Sequence, residues 1–561
     1  GHGSALPEDF YYTGAALKKD MAQGELARSL AGLHTSFGFN FRGRNNLHMI
    51  ADGVLLAGVG NTVQIIDLAT KRTRYIFGND GGGIGAIAVH PSRKFFAVGE
   101  KGESPNIYVY EYPSLKVYRV LRKGTERAVA SLDFSADGTQ MASVGSFPDF
   151  LLTVWDWREE RIVLHTKAFS QSVFAVRNSP DQPGFLATSG QGHIRFWRMA
   201  ATFTGLKLQG EIGKFGKVEL SDIEAFAELP DGKVLSGSEQ GSLLMWDGNF
   251  IMLEVRRADG SNPHEGNIFS VILDRERQQF VTGGADGKVC WWNFSDINVY
   301  EVDADDPFVR VDPVAEVKVT RNRPGAAVRG ILRSGADWLV LDGSGALWSI
   351  DHESKDEELL TEGHAGAIVG VGVSPVDHFA ASLGADGFVR CWDYVGKTPL
   401  FAQRFPAKGS ALDWAPKTLD KLGRTVACGF VNGVVRVLLR AKTEWKLLHV
   451  FKPHSTAVTQ LRFAPNGRLL ATGGDDGTVF ILSIEDADAS GDGHEYKPVG
   501  FVSVGSKVND LSWNEDCSCI LVATQDGPVC EITVPAERPD TAASFELSLP
   551  ISTYTFKPPK P

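Results

Sequence analysis

The chain has 561 residues, 43% of them apolar, and its 57 Lys+Arg against 68 Asp+Glu leave a formal charge of −11. That acidic balance argues against a general nucleic-acid binder, which needs a basic face, and no run of 18 apolar residues offers a membrane span, so neither nucleic acid nor membrane is expected as a partner. Gly is 61 of 561, about 11% against about 7% in ordinary chains, which with 33 Phe and 12 Trp points to many turns between short buried strands.

Gly1-His2-Gly3-Ser4 lacks a Met and reads as a vector remnant, with no signal peptide after it. Leu17, Met21, Leu26, Leu30 and Leu33 are spaced mostly by three and four. This predicts a short amphipathic helix, weakened at Gly24, that docks on the domain after it or, as the alternative, on a partner. Residues 1–36 are read as an N-terminal tail and helix.

From there one phrase recurs: a polar residue, often Gly, an apolar residue, two more, then an aromatic or aliphatic anchor. QGHIRFW ends at Trp197, QGSLLMW at Trp246, DGKVCWW at Trp292 and DGFVRCW at Trp392; weaker copies end at Ile66, Tyr110, Trp155, Ile350, Leu438, Leu482 and Ile532. The gaps are 44, 45, 42, 49, 46, 58, 42, 46, 44 and 50. A period near 44 is that of a four-stranded propeller blade. Within a unit, Ile368–Val373 predicts one strand and Phe379–Leu383 a second, after which Asp386-Gly387 turns tightly into the anchor strand. Asp-Gly and Asn-Gly tolerate the positive φ that such hairpins require.

Three units share a second pattern. His264, Thr282, Asp286 and Trp292 stand at offsets of 18, 22 and 28 from the His, and His364, Ser382, Asp386 and Trp392 repeat them. His454, Thr472 and Asp476 do the same, with Leu482 in place of Trp. The pattern resembles the structural tetrad of WD-repeat propellers, and the resemblance implies that these groups hydrogen-bond one another inside a blade.

Eleven anchors exceed the four to eight blades of a common ring. The expected architecture is all-β, with two tandem WD-repeat β-propellers: a seven-bladed first ring over residues 37–355 and a partial second over 356–561, either open here or completed by sequence beyond residue 561. Phe37–Phe41 is expected to be the strand that closes the first ring. Asp351–Glu362, with six acidic groups against one Lys, is expected to be the linker, and Ser544–Phe556 to supply one or two further strands. Tyr300–Val317 and Glu485–Lys497, both acidic, are expected to be solvated surface loops and are the candidate functional insertions, since loops carry variation on a rigid scaffold.

Catalytic signals are weak. Three His/Ser or Thr/Asp sets at one spacing are what architecture produces, whereas an active site occurs once. Gly210–Lys217 (GEIGKFGK) approaches a P-loop, but its glycines are one residue too far apart and Val218 stands where Ser or Thr should hold Mg²⁺. Gly81–Gly85 precedes a strand and opens no helix, so it fails the dinucleotide pattern. Cys517-Ser518-Cys519 has no nearby ligand to complete a metal site. The six Cys show no CxxC and are expected to be reduced and mostly core, in an intracellular protein. Lys71-Arg72-Arg74 and Arg119, Arg122, Lys123, Arg127 are small basic clusters that suggest at most local docking. No catalytic, cofactor or metal residue is assigned.

YEYPSLKVYRVLRKGTE (110–126), TKAFSQSVF (166–174), SGQGHIRFW (189–197), FTGLKLQG (203–210), ELPDGKVLSGSEQG (228–241), GELARSL (24–30), KTPLFAQRF (397–405) and GVVRVL (433–438) carry a more specific likeness. They resemble the cilia- and flagella-associated protein 44 family over about residues 24–545. The resemblance implies a non-catalytic scaffold of the ciliary or flagellar axoneme. In that family the scaffold is part of the tether that holds the inner-arm dynein f motor domains to the doublet microtubule and shapes beating, with cilia- and flagella-associated protein 43 as its sister subunit. Family members are much longer and carry coiled-coil segments after the propellers, where doublet contacts are expected. The alternatives are a generic WD-repeat adaptor in another complex, or a hydrolase using one His/Ser/Asp set.

Overall fold

Each repeat folds into one sheet built on antiparallel neighbours. The computed structural model describes residues 6–17, 33–319, 326–486, 493–535, 545–547 and 549–554, and among these the strands form eleven sheets, ten of four strands and one of five. Every anchor phrase is the third strand of its sheet, from Thr62–Asp67 through Leu243–Asp247 and Phe388–Asp393 to Val529–Thr533. These strands are flanked on both sides and packed on both faces, which favours apolar runs: in blade five Leu243, Leu244, Met245 and Trp246 are all buried. The turn into the eighth blade's anchor strand needs glycine. Gly387 has φ 80°, and a Cβ there would meet the Phe405 carbonyl oxygen at 2.5 Å and that of Ala407 at 2.8 Å.

The core is a series of apolar layers between successive sheets. Seven layers serve the first seven blades. They join blades one and two (Ile50, Phe96), two and three (Val109, Trp155), three and four (Val144, Trp197), four and five (Ile194, Trp246), five and six (Leu243, Trp292), and six and seven (Trp291, Trp338). The seventh puts Leu339, Leu341 and Leu347 of blade seven against Leu47 and Leu55 at blade one. Seven interfaces for seven blades is the condition for a closed ring. Each fully buried Leu or Met in these layers contributes roughly 1.5–3 kcal/mol.

The last four blades have three such layers, between eight and nine, nine and ten, and ten and eleven. The eighth blade's inner strand, Ile368–Val373, packs on one side only. Gly370 lies so close to the next inner strand that a Cβ would meet the Leu412 Cβ at 2.7 Å, while Ile368, Val371 and Val373 are 58%, 71% and 52% exposed. The second set is therefore open among the described residues.

Several expectations need correction. The chain divides into two compact units between Gly363 and His364, not at 355/356. The acidic stretch expected to link the rings contains strand Glu357–Glu362, the outer strand of blade seven, paired antiparallel with Ala346–Ile350. An outermost strand faces water along one edge and one face, so it tolerates a charged composition that looks like a linker. Phe37–Phe41 forms no strand; Phe39 and Phe41 instead pack as an irregular segment on the layer between blades seven and one. The insertion Tyr300–Val317 is not merely a solvated loop. Phe308–Arg310 adds a fifth, parallel strand to blade five, and Ala315–Lys318 is the outer strand of blade six. Glu485–Lys497 is in part strand: Thr478–Asp486 and His494–Ser503 pair as one long hairpin. The stretch Ser544–Phe556 does supply a strand, as expected, at Ile551–Tyr554. The expected N-terminal helix falls mostly on residues outside the described set; a helix at Gly14–Leu17 is described, and Leu17 is buried with Ile50 and Val117 against the first two blades.

Candidate functional site

The three predicted sets come together as linear relays. In blade six the Trp292 Nε1–H donates to Thr282 Oγ1 at 3.0 Å. Thr282 Oγ1 lies 2.7 Å from His264 Nε2, and His264 Nδ1 lies 3.0 Å from Asp286 Oδ1. A carboxylate only accepts, so Nδ1 carries the proton, Nε2 accepts from the threonine hydroxyl, and every donor is used once. Blade eight repeats the relay: Trp392 Nε1 to Ser382 Oγ at 2.7 Å, Ser382 Oγ to His364 Nε2 at 2.7 Å, and His364 Nδ1 to Asp386 Oδ1 at 3.1 Å. In blade ten His454 lies 2.8 Å from Thr472 Oγ1 and 3.2 Å from Asp476 Oδ1. There Leu482, which has no donor, shortens the relay by one link.

Each aspartate also closes the turn before its strand. Asp286 accepts the Glu265 and Lys288 N–H groups, each at 3.1 Å. Burial pushes the Asp286 pKa up, but the His264 hydrogen bond and these two N–H groups outweigh it and hold the carboxyl below its ordinary value. Asp386 is held down by the same balance. The hydroxyls of Thr282 and Thr472 belong to fully buried residues, and each is engaged inside its relay. A hydroxyl so placed has no route to a substrate. The geometry braces the second and third strands of a blade to the turn between them and to the segment before its first strand, each link contributing roughly 0.5–1.5 kcal/mol.

Sequence reading missed shorter versions of this brace. Trp155, Trp197 and Trp246 donate to Ser143, Thr188 and Ser236 at 2.8, 2.9 and 2.9 Å, in blades that lack the tetrad histidine. The available signal was a Ser or Thr 9–12 positions before the anchor Trp. Other carboxylates replace the histidine branch. Glu100 accepts the Asn79 and Asp80 N–H groups at 2.8 and 2.6 Å, and Asp342 accepts from Trp348 Nε1 at 2.8 Å.

The basic cluster at 119–127 is partly absorbed by the chain itself. Arg119, 2% exposed, donates to the Phe10 and Pro7 carbonyls at 3.1 Å each. Tyr12 donates to Glu160 at 2.8 Å, and Arg122 lies over the Tyr12 ring. Residues 7–12 thus dock on blades two and three. The residual motifs are structural: Gly210 lies in strand Gly205–Ile212, and Gly85 in strand Ile84–Val89, where a Cβ would meet the Val129 carbonyl oxygen at 2.1 Å. Five of the six cysteines are buried and all are free; burial pushes the Cys391 thiol up to about 12. No group of three metal-ligating side chains occurs among the described residues.

The model of the Echinoderm microtubule-associated protein first beta-propeller matches residues 82–321, and the WD domain, G-beta repeat model matches 357–393 and 445–482. Cilia- and flagella-associated protein 44 of Mus musculus is 40% identical over 90% of this chain and 28% of its own length. Its namesake in Chlamydomonas reinhardtii is 39% identical over 95% of this chain and 32% of its own. By sequence the chain belongs with the cilia- and flagella-associated protein 44 family. The Trypanosoma brucei brucei member agrees at 31% identity over 92% of the chain. The chain spans about a third of the length of these relatives. Echinoderm microtubule-associated protein-like 2 of Mus musculus is more distant, 26% identical over 87% of this chain, but is covered over 72% of its own length.

Proposed function

We propose that the chain is a non-catalytic scaffold region of the ciliary or flagellar axoneme, within the tether that holds inner-arm dynein f motor domains to the doublet microtubule. The observation that carries this reading is identity of 31–40% to three cilia- and flagella-associated relatives across 90–95% of the chain. Buried, internally satisfied tetrads support it, because the side chains that most resemble catalytic sets are engaged in bracing blades. Its partners are cilia- and flagella-associated protein 43 and dynein f, with the doublet microtubule held by the assembly. The net charge of −11 disfavours long-range attraction to an acidic tubulin surface, since like charges slow encounter.

One observation favours a second reading, direct contact with the microtubule: the first-propeller model that matches residues 82–321 comes from proteins named for microtubule association. Cross-linking mass spectrometry on axonemes carrying the tagged protein separates the two. Links from Lys123, Lys214 or Lys318 to dynein or the sister subunit are expected. Links mainly to tubulin overturn the first placement and support the second.

A further inference from the structure

The first ring holds a cavity of about 260 Å³ whose lining gathers Arg42, Arg44, Arg177 and Arg329 around one acid, Glu224. These residues come from the segment before blade one and from blades four, five and seven, so ring closure alone assembles them. Four guanidinium groups against one carboxylate is a concentrated positive charge in a chain of net −11.

The arginines are held in place. Arg44 donates to both carboxylate oxygens of Glu224, at 2.6 and 3.0 Å, and its guanidinium lies 3.7 Å from the Phe174 ring centroid. Arg329 lies 4.1 Å from the Phe269 centroid. Stacking on a ring fixes the plane of a guanidinium and leaves its N–H edge free to engage a carboxylate. The turn that presents Arg42 and Arg44 is pinned by Asn46, whose Nδ2 donates to the Asn40 and Gly58 carbonyls at 3.1 and 2.7 Å. Arg177 donates to the Val176 carbonyl at 2.9 Å, and the buried Asp133 carboxyl offsets part of its charge from outside the cavity. His48 also lines the cavity and adds no charge near neutral pH, because burial lowers its pKa to about 4. Among the described residues, the ion pair inside the cavity is Arg44–Glu224. Arg42 and Arg329 are exposed at its mouth.

We infer that this mouth is a docking site for an acidic peptide segment, which places carboxylate side chains between Arg42, Arg177 and Arg329. Charge complementarity selects the occupant. The cavity is smaller than the roughly 300–1,000 Å³ of sites for drug-sized ligands, so it takes one or two side chains of a longer chain rather than a whole cofactor. Arginine forks bind carboxylates in a planar two-point fashion, and the phenylalanine walls accept the methylene stems of glutamate. This site does not depend on the axonemal reading and would serve an acidic partner in any assembly.

The test is fluorescence anisotropy of a labelled hexaglutamate peptide with the whole 561-residue chain at low ionic strength. Saturable binding is expected. Arg42→Ala/Arg329→Ala should weaken it about tenfold or more, the scale of losing charge-assisted hydrogen bonds, and Arg42→Lys/Arg329→Lys should recover part of the loss. Lys442→Ala/Arg468→Ala, which removes as much charge from exposed positions of the second unit, should leave affinity unchanged. Circular dichroism melts establish that each variant is folded. No binding by the folded parent chain, or equal loss in both double variants, overturns the site. Tripolyphosphate binding tighter than hexaglutamate, with the same dependence on Arg42 and Arg329, overturns the peptide assignment in favour of a phosphate ligand.

Discussion

The Trp155 indole nitrogen donates to Ser143 Oγ at 2.8 Å, although blade three has no tetrad histidine to take the serine further. Both residues are buried. The tryptophan–hydroxyl link is thus the shared part of the brace, found in blades three, four, five, six and eight. The histidine and aspartate extend it in some blades only.

Ser143→Ala should therefore cost about 1–3 kcal/mol, because it strands a buried indole N–H. Urea denaturation of the purified chain measures this. Stability within 0.3 kcal/mol of the parent, a rough floor for such assays, would show that the indole finds another acceptor.

Asp286→Ala should destabilise the first unit by roughly 1–3 kcal/mol, since it leaves His264 Nδ1 without its carboxylate and frees two turn N–H groups. The carboxyl pKa is lowered in the fold. Its stabilisation is thus present above the unfolded carboxylate pKa and fades as pH falls through the folded value. The gap between parent and variant should shrink in acid. A gap that is constant from neutral to acid pH contradicts the relay.

Asp413 should behave in the opposite sense. Burial raises its pKa to about 6, against the Phe463 and Trp414 N–H groups and Arg462, which lower it. A raised folded pKa favours the neutral form, so stability is greatest below the unfolded value and is lost as pH rises through about 6. Asp413→Asn keeps the acceptor for the Phe463 N–H, now 2.8 Å from Asp413 Oδ2, and removes the charge. It should stabilise the second unit at pH 8 by up to about 3 kcal/mol and have little effect at pH 4. Denaturation at the two pH values decides; equal effects at both would remove titration as the cause.

The boundary after Gly363 has a direct consequence for truncation. A chain ending at Gly363 keeps strand Glu357–Glu362 on its sheet, whereas one ending at Lys355 exposes the edge of Ala346–Ile350. Thermal melts should place the shorter chain about 1–3 °C lower, the shift that about 1–2 kcal/mol produces in a domain this size. Coincident melts would mean that the outer strand adds nothing to the ring.

The repeat was legible in one dimension because its cause is local. A third strand flanked on both sides favours apolar residues and a hairpin with positive φ favours glycine, so the eleven anchors, the two full tetrads and the third set that lacks its Trp show as spacing alone. The family likeness rests on the same linear order. What the chain's order did not reveal depends on who sits beside whom in the ring. The acidic strand Glu357–Glu362 reads as a linker because an outer strand needs little apolar surface, and only its pairing with Ala346–Ile350 assigns it to blade seven. The segment around Phe39 and Phe41 reads as a closing strand, yet the ring closes through side-chain packing between Leu341 and Leu55, which leaves no periodic signature. The arginine cavity was invisible for the same reason. Arg44, Arg177, Glu224 and Arg329 are up to 285 residues apart in the chain, and closure of seven blades around one axis brings their charges together.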